Sequence, residues 1–171
     1  KKKVTISGTG MTNFTVDNTI FEDGLILKFN CNSLSIFNCS TRFVLDFEGD
    51  ISNIFDIQAC SFISLTLNGT QNAPVKITDV TVLDNTILKG ALNQTIDFLR
   101  FNSRQLSLKL ANAQKNFVVG HSNIEEITFA KNNFHREFII LHSKITKINF
   151  SNAKFTGNLL IQSSEFTDST I

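Results

Sequence analysis

The feature that most constrains this 171-residue chain is a repeat. Residues 124–144 (IEEITFAKNNFHREFIILHSK) align without a gap on residues 145–165 (ITKINFSNAKFTGNLLIQSSE). Ile124 meets Ile145, Ile127 meets Ile148, Phe129 meets Phe150, Phe134 meets Phe155 and Ile140 meets Ile161. FVVGHSN at 117–123 matches FIILHSK at 138–144 at the same 21-residue offset. A period of this length marks a solenoid, in which each unit buries its apolar row only against its neighbours.

A shorter signature carries the repeat towards the N-terminus: an aliphatic residue, two variable ones, then a small one. Its anchors are Val16, Ile36, Ile57, Ile77, Arg100, Val119, Ile140 and Ile161, in steps of 20, 21, 20, 23, 19, 21 and 21 residues. Three positions after each stand Thr19, Cys39, Cys60, Val80, Ser103, Ser122, Ser143 and Ser164, all small. Arg100 is the poorest anchor and follows the longest step, which predicts a bulge or loop near 83–93. Eight anchors predict about eight coils of 19–23 residues in one all-β solenoid domain over 1–171.

A finer beat runs through the best coils. Ile124, Phe129, Phe134, Ile139, Ile145, Phe150, Phe155, Leu160, Phe166 and Ile171 are spaced by five or six residues. That period belongs neither to a helix nor to a plain strand. It describes a chain that turns a corner every five residues, four corners and one extra residue making each 21-residue circuit. These residues are expected inside the tube, together with small residues two positions earlier, such as Ser122, Ser143, Ala153 and Ser164.

The triplets Ser143-Lys144-Ile145, Ala153-Lys154-Phe155, Ser164-Glu165-Phe166 and Ser169-Thr170-Ile171 resemble the degenerate units of the pentapeptide-repeat family. The likeness is good over 118–171, loose over 16–67 and poor over 68–110. The Asp or Asn common before the centre is mostly missing, Asn133 being one of the few present. What the resemblance implies is a right-handed parallel β-helix with four sides. Coils stacked about 4.8 Å apart would make eight of them a rod roughly 38 Å long.

Composition agrees with many turns between short strands: Asn, Ser and Thr are abundant and Pro74 is the single proline. All seventeen aromatics are Phe, which carries no polar handle. A net charge of +1 gives no field to steer the chain to nucleic acid or membrane. The charge is nonetheless uneven, six Lys/Arg and nine Asp/Glu over 1–85 against ten and six over 86–171. No apolar run is long enough to span a bilayer. Three cysteines do not make a disulfide framework, so a reducing, cytoplasmic setting is expected. The chain starts at Lys1 without methionine and stops at Ile171 in mid-pattern, without a cap. The expectation is a fragment whose chain continues, or an end that pairs with a second copy.

Each candidate for chemistry has a structural counter-reading. Cys39 and Cys60 share a column and would stack at disulfide range, but read as small core residues. His121 and His142 would stack as half a metal site or a pH-sensitive pair. Their column reads Asn18, Asn38, Ala59, Thr78, Asn102, His121, His142, Ser163, with no carboxylate or cysteine, so it reads as a polar turn ladder. Asp46, Glu48 and Asp50 alternate onto one strand face, without calcium-loop spacing. Gly8-Thr9-Gly10 reads as a turn, and Lys1–Lys3 as a solvated terminus. Lys131, Arg136, Lys144, Lys147 and Lys154 would align either as a basic face for an acidic partner or as solvated charge guarding strand edges.

With no serine–histidine–acid set and no paired catalytic carboxylates, the expected function is a non-enzymatic scaffold or protein-binding module, with no catalytic residue, cofactor or metal. The resemblance implies an alternative, a DNA-imitating topoisomerase inhibitor, which requires a continuous negative stripe. A third possibility, carbohydrate binding or cleavage, requires an aromatic platform or a cleft lined by acids from three or more coils.

Overall fold

The computed structural model describes residues 3–41 and 44–170. All regular elements among them are β-strands, joined by parallel pairings into one continuous sheet wound as a β-solenoid. A chain that travels one circuit and returns beside itself can pair only in parallel, with the rest of the coil as its crossover.

Four ladders run along the axis. On the first side Val16, Ile36, Ile57, Ile77, Phe98, Val119, Ile140 and Ile161 are successive partners, one for each of eight coils. The second side carries Phe62, Val82, Ser103, Ile124, Ile145 and Phe166. The third carries Leu25, Leu45, Leu65, Thr86, Leu106, Ile127 and Ile148. The fourth carries Met11, Cys31, Ile51, Gln71, Leu92, Ala113, Phe134 and Phe155.

Arg100 is not an anchor. Ile77 pairs with Phe98, which pairs with Val119, so the step on the first side is 20 or 21 residues throughout. Arg100 instead turns the following corner at φ 50°. The column of small residues therefore contains Phe101, not Ser103, and Ser103 belongs to the second side. The long apparent step came from taking Arg100 for Phe98, and two compensating irregularities elsewhere in these coils leave the first side in step. The strand Thr81–Leu92 shifts register against Asn102–Ala113 between Val82 and Asn85, and again between Gly90 and Ala91. Similarly, a shift between Cys31 and Ser33 lets a 20-residue coil stack on a longer one and leaves Ile54 47% exposed.

The pentad beat also needs correction. Phe138 and Ile140 are both fully buried, and Ile139 between them faces outward. Strand alternation forces this, since neighbours on a strand point to opposite faces. Leu160, expected inside, likewise lies on the outer row and is 45% exposed.

Phe rings recur along the core, in a chain of contacts through Phe14, Phe29, Phe47 and Phe55 in the early coils and between Phe98 and Phe101 in the middle, and they are densest in the last coils. Phe117 stacks on Phe138 at 4.9 Å and Phe134 on Phe155 at 5.2 Å, with Phe129 and Phe150 meeting them edge-on or tilted. Gln71 is the odd member of the fourth side. Its Nε2 donates to the Gly49 carbonyl at 3.3 Å, and its buried Oε1 has no partner among the described residues. Among the described residues no helix is long and apolar enough to cross a membrane.

Candidate functional site

Where the chain leaves the first side it turns through a left-handed residue in each coil: Asn18, Asn38, Ala59, Asp79, Arg100, His121, His142 and Ser163, all at φ between 47° and 56°. This column corrects the sequence reading, which put Thr78 and Asn102 in place of Asp79 and Arg100. It does hold a carboxylate. The Arg100 guanidinium grips Asp79 with two hydrogen bonds of 2.5 and 2.8 Å, which holds that carboxyl below its usual range.

The next residue explains the small-residue column. At this corner the N–H of one coil has the side chain of the following coil as its acceptor. Ser122 N–H donates to Ser143 Oγ and Ser143 N–H to Ser164 Oγ, both at 3.1 Å, and Cys39 N–H donates to Cys60 Sγ at 3.4 Å. Each hydroxyl or thiol then donates to the carbonyl two residues back, Ser122 to Gly120 at 2.8 Å and Cys60 to Gln58 at 3.1 Å. A residue here serves best if it is small and both donates and accepts, which selects Ser, Thr and Cys. Val80 and Phe101 interrupt the relay. Cys31, Cys39 and Cys60 are buried free thiols; burial pushes all three up, Cys60 to about 11.

The outer face of the first side changes character along the rod. Its principal outward row reads Thr15, Ser35, Asp56, Lys76 and Asp97, then Val118, Ile139 and Leu160. The parallel row beside it passes from Gln58 and Thr78 to Leu99, Gly120 and Leu141. The early part is polar, with Lys76 between Asp56 and Asp97; partial burial raises both carboxyls against the pull of that ammonium. From Leu99 onward the face is aliphatic. Leu99 lies across Gly120, where an added Cβ would stand 3.0 Å from its Cδ2. Exposed cations line one long edge of the aliphatic patch, Lys115 and Arg136 on the turns opposite the left-handed corner, where Arg100 is paired with Asp79.

No family model, characterised protein or solved structure matches this chain. Its surface chemistry must therefore carry the functional reading.

The remaining candidates are dispersed or neutralised. Glu48 pairs with Lys28 at 3.0 Å, and Asp50 accepts the Thr70 N–H at 2.7 Å. Asp46 sits half-buried between Ile26 and Thr66. The five basic residues do not form one face: Lys144 lies on the second side near Glu165, Lys147 pairs with Glu126 at 3.2 Å, Lys154 is beside Asn133 on the fourth side, and Lys131 and Arg136 occupy separate corners. The register shift after Val82 opens a polar cleft of about 300 Å³ between the second and third sides. Arg104 stands in it with Asp84 at 3.8 Å and Glu125 at 3.6 Å, so its acids come from two coils. Gly8-Thr9-Gly10 joins the strands Val4–Ser7 and Met11–Asp17, with Gly10 at φ 74°. Lys1, Lys2 and Ile171 lie outside the described residues. Among those described, no three His, Cys, Asp or Glu side chains are placed together to hold a metal ion.

The aliphatic face was the feature missed from sequence. Its signal was present in FVVGH, FIILH and LLIQS, where three consecutive apolar residues on a strand require the middle one to face out.

Proposed function

We propose that this β-solenoid is a non-enzymatic docking scaffold that holds a protein partner on the outer face formed by Leu99, Val118, Ile139, Leu141 and Leu160. The observation that carries the reading is the abrupt change along one outward row, from Asp56, Lys76 and Asp97 to Val118, Ile139 and Leu160. A merely solvated face has no need of that change; Leu160 is exposed and Leu99, Val118, Ile139 and Leu141 are half-buried, together a contiguous aliphatic surface of the kind that marks interaction sites. The cations along one edge, Lys115 and Arg136, select a partner whose apolar patch carries carboxylates on that side. A rigid sheet loses little conformational entropy on binding.

The kinship with pentapeptide-repeat proteins is supported by the four ladders and the serine corners, and weakened where Phe138 and Ile140 both point inward. DNA imitation has less in its favour, since Lys28 and Lys76 break the acidic rows of the first half. A photo-crosslinking residue at position 139 should capture a protein partner in cells, in a yield that falls with salt. The same probe at Ser35, on the polar stretch of the same row, should not. Equal capture at both positions, or none at 139, would overturn the proposal.

A further inference from the structure

The cations of this chain are sorted by face. Lys28, Arg100, Arg104, Lys144 and Lys147 each stand within ionic range of a carboxylate, and Lys76 lies between Asp56 and Asp97 on its row. Apart from Lys3 beside the first strand, the cations without such a neighbour among the described residues are Lys89, Lys109, Lys115, Lys131, Arg136 and Lys154. Each of these is exposed, and each belongs to the fourth side or to one of the two corners that bound it. Lys89 and Lys109 are direct partners in register on the approach to that side, and Lys131 turns the same corner one coil further, at φ 55°. The outward row of the side itself runs Ala91, Asn112, Asn133 and Lys154. Lys115 and Arg136 turn the corner beyond it. The carboxylate at the border of this strip is Glu137, which accepts from Asn116 Nδ2 at 3.3 Å. Like charges placed directly opposite on neighbouring strands destabilise a sheet. In the first half the same row alternates, with Lys28 facing Glu48; in the second half it sets lysine on lysine. The fold gains nothing from that repetition, whereas a ligand of opposite charge does.

We propose that the fourth side of the last four coils is a second binding surface, for an extended acidic segment of a protein, a run of Asp and Glu lying along the rod axis between the two rows of cations. The strip is about 14 Å long, at about 4.8 Å per coil, and its strand Asn132–Phe134 makes it roughly 10 Å wide. An extended chain turns successive side chains to opposite sides every ~3.4 Å. Alternate carboxylates therefore reach Lys109 and Lys131 on one hand and Lys115 and Arg136 on the other. Single-stranded nucleic acid fits less well, because no aromatic ring is among the exposed apolar residues for a base to stack on. A membrane also fits less well, since no large apolar side chain is exposed on this side of those coils to enter a bilayer. The sequence reading grouped Lys131, Arg136 and Lys154 with Lys144 and Lys147, which stand on other sides beside carboxylates; Lys89, Lys109 and Lys115 complete the face instead. The surface shares Lys115 and Arg136 with the border of the aliphatic face and needs no occupant there.

Fluorescence anisotropy of a labelled octaglutamate peptide, titrated with the full chain, tests the assignment. Saturable binding is expected at low salt, weakening steeply from about 50 to about 300 mM, and octaglutamine should not bind. The double variant Lys89→Gln, Lys109→Gln should weaken the octaglutamate affinity roughly fivefold or more. Lys28→Gln, on the same row but paired with Glu48, should leave it unchanged. Glutamine at 89 and 109 removes a repulsion, so the double variant should unfold at a urea concentration no lower than wild type, and its weakened binding is not a loss of fold. Ile139→Ser should bind the peptide as wild type does, which separates this surface from the aliphatic face. Wild-type affinity in the double variant, or an equal loss in Lys28→Gln or Ile139→Ser, would overturn the proposal. So would tighter binding of a short DNA duplex, or of phosphatidylserine vesicles, than of the peptide at equal anionic charge.

Discussion

The corner between the third and fourth sides is built in two ways, and the contrast shows what the stack demands. In the middle coils it is a pile of glycines. Gly69 and Gly90 have φ of 141° and 102°, and a Cβ on either would collide with the carbonyl oxygen of the glycine one coil below. In the last coils the same corner is a left-handed Lys131 followed by Asn132, whose Oδ1 accepts the Ala130 N–H at 2.8 Å, and then Asn149 accepting the Ser151 N–H at 2.9 Å. One region lets backbones approach closely; the other spends a side-chain hydrogen bond on each turn. The circuit of 20 or 21 residues is thus common to the rod, while the residues that achieve it are local choices.

The two regions should fail differently. Phe138→Ala removes a ring packed on Phe117, Phe134 and Phe150, and is expected to cost about 4 kcal/mol in urea unfolding. Glycine corners should break on addition: Gly69→Ala forces backbone apart and should cost roughly 3 kcal/mol. Asn132→Ala, at the equivalent corner, should cost only about 1–2 kcal/mol for its lost hydrogen bonds. A G69A loss smaller than that of N132A would show that the glycine stack is not close-packed.

The relay gives a finer contrast. Ser143→Ala leaves the buried Ser122 N–H without its acceptor and should cost about 1–2 kcal/mol. Cys60→Ser keeps both bonds and should change stability by less than about 1 kcal/mol. The thiol version should nevertheless be sensitive to alkali. Unfolded, Cys60 ionises near 9.0; folded, near about 11. Between those values only the unfolded state has released its proton, so stability falls as pH rises through that window. Subtracting the pH profile of Cys60→Ser from that of the wild type should isolate the decline, and superimposable profiles would contradict the assigned burial. The smallest change expected is for Ile139→Ser, which should leave unfolding nearly unchanged while abolishing partner capture.

The repeat, the all-β class and about eight coils were legible because stacking writes identical apolar rows at a fixed offset. Reading failed where two physical rules competed. A five-residue beat placed Ile139 and Leu160 inside, whereas strand alternation between Phe138 and Ile140 turns them out. A rule of small residues preferred Ser103 to Phe101, because the true member of that column in this coil is a large aromatic that breaks the rule.

The orientation of Ile139 carries both the corrected coil geometry and the docking proposal. Maleimide labelling of I139C and I140C in the native protein tests it, with the three buried native thiols as the unreactive baseline. The account predicts rapid modification of I139C and protection of I140C until the chain unfolds. Protection of I139C, with I140C reactive, would contradict it.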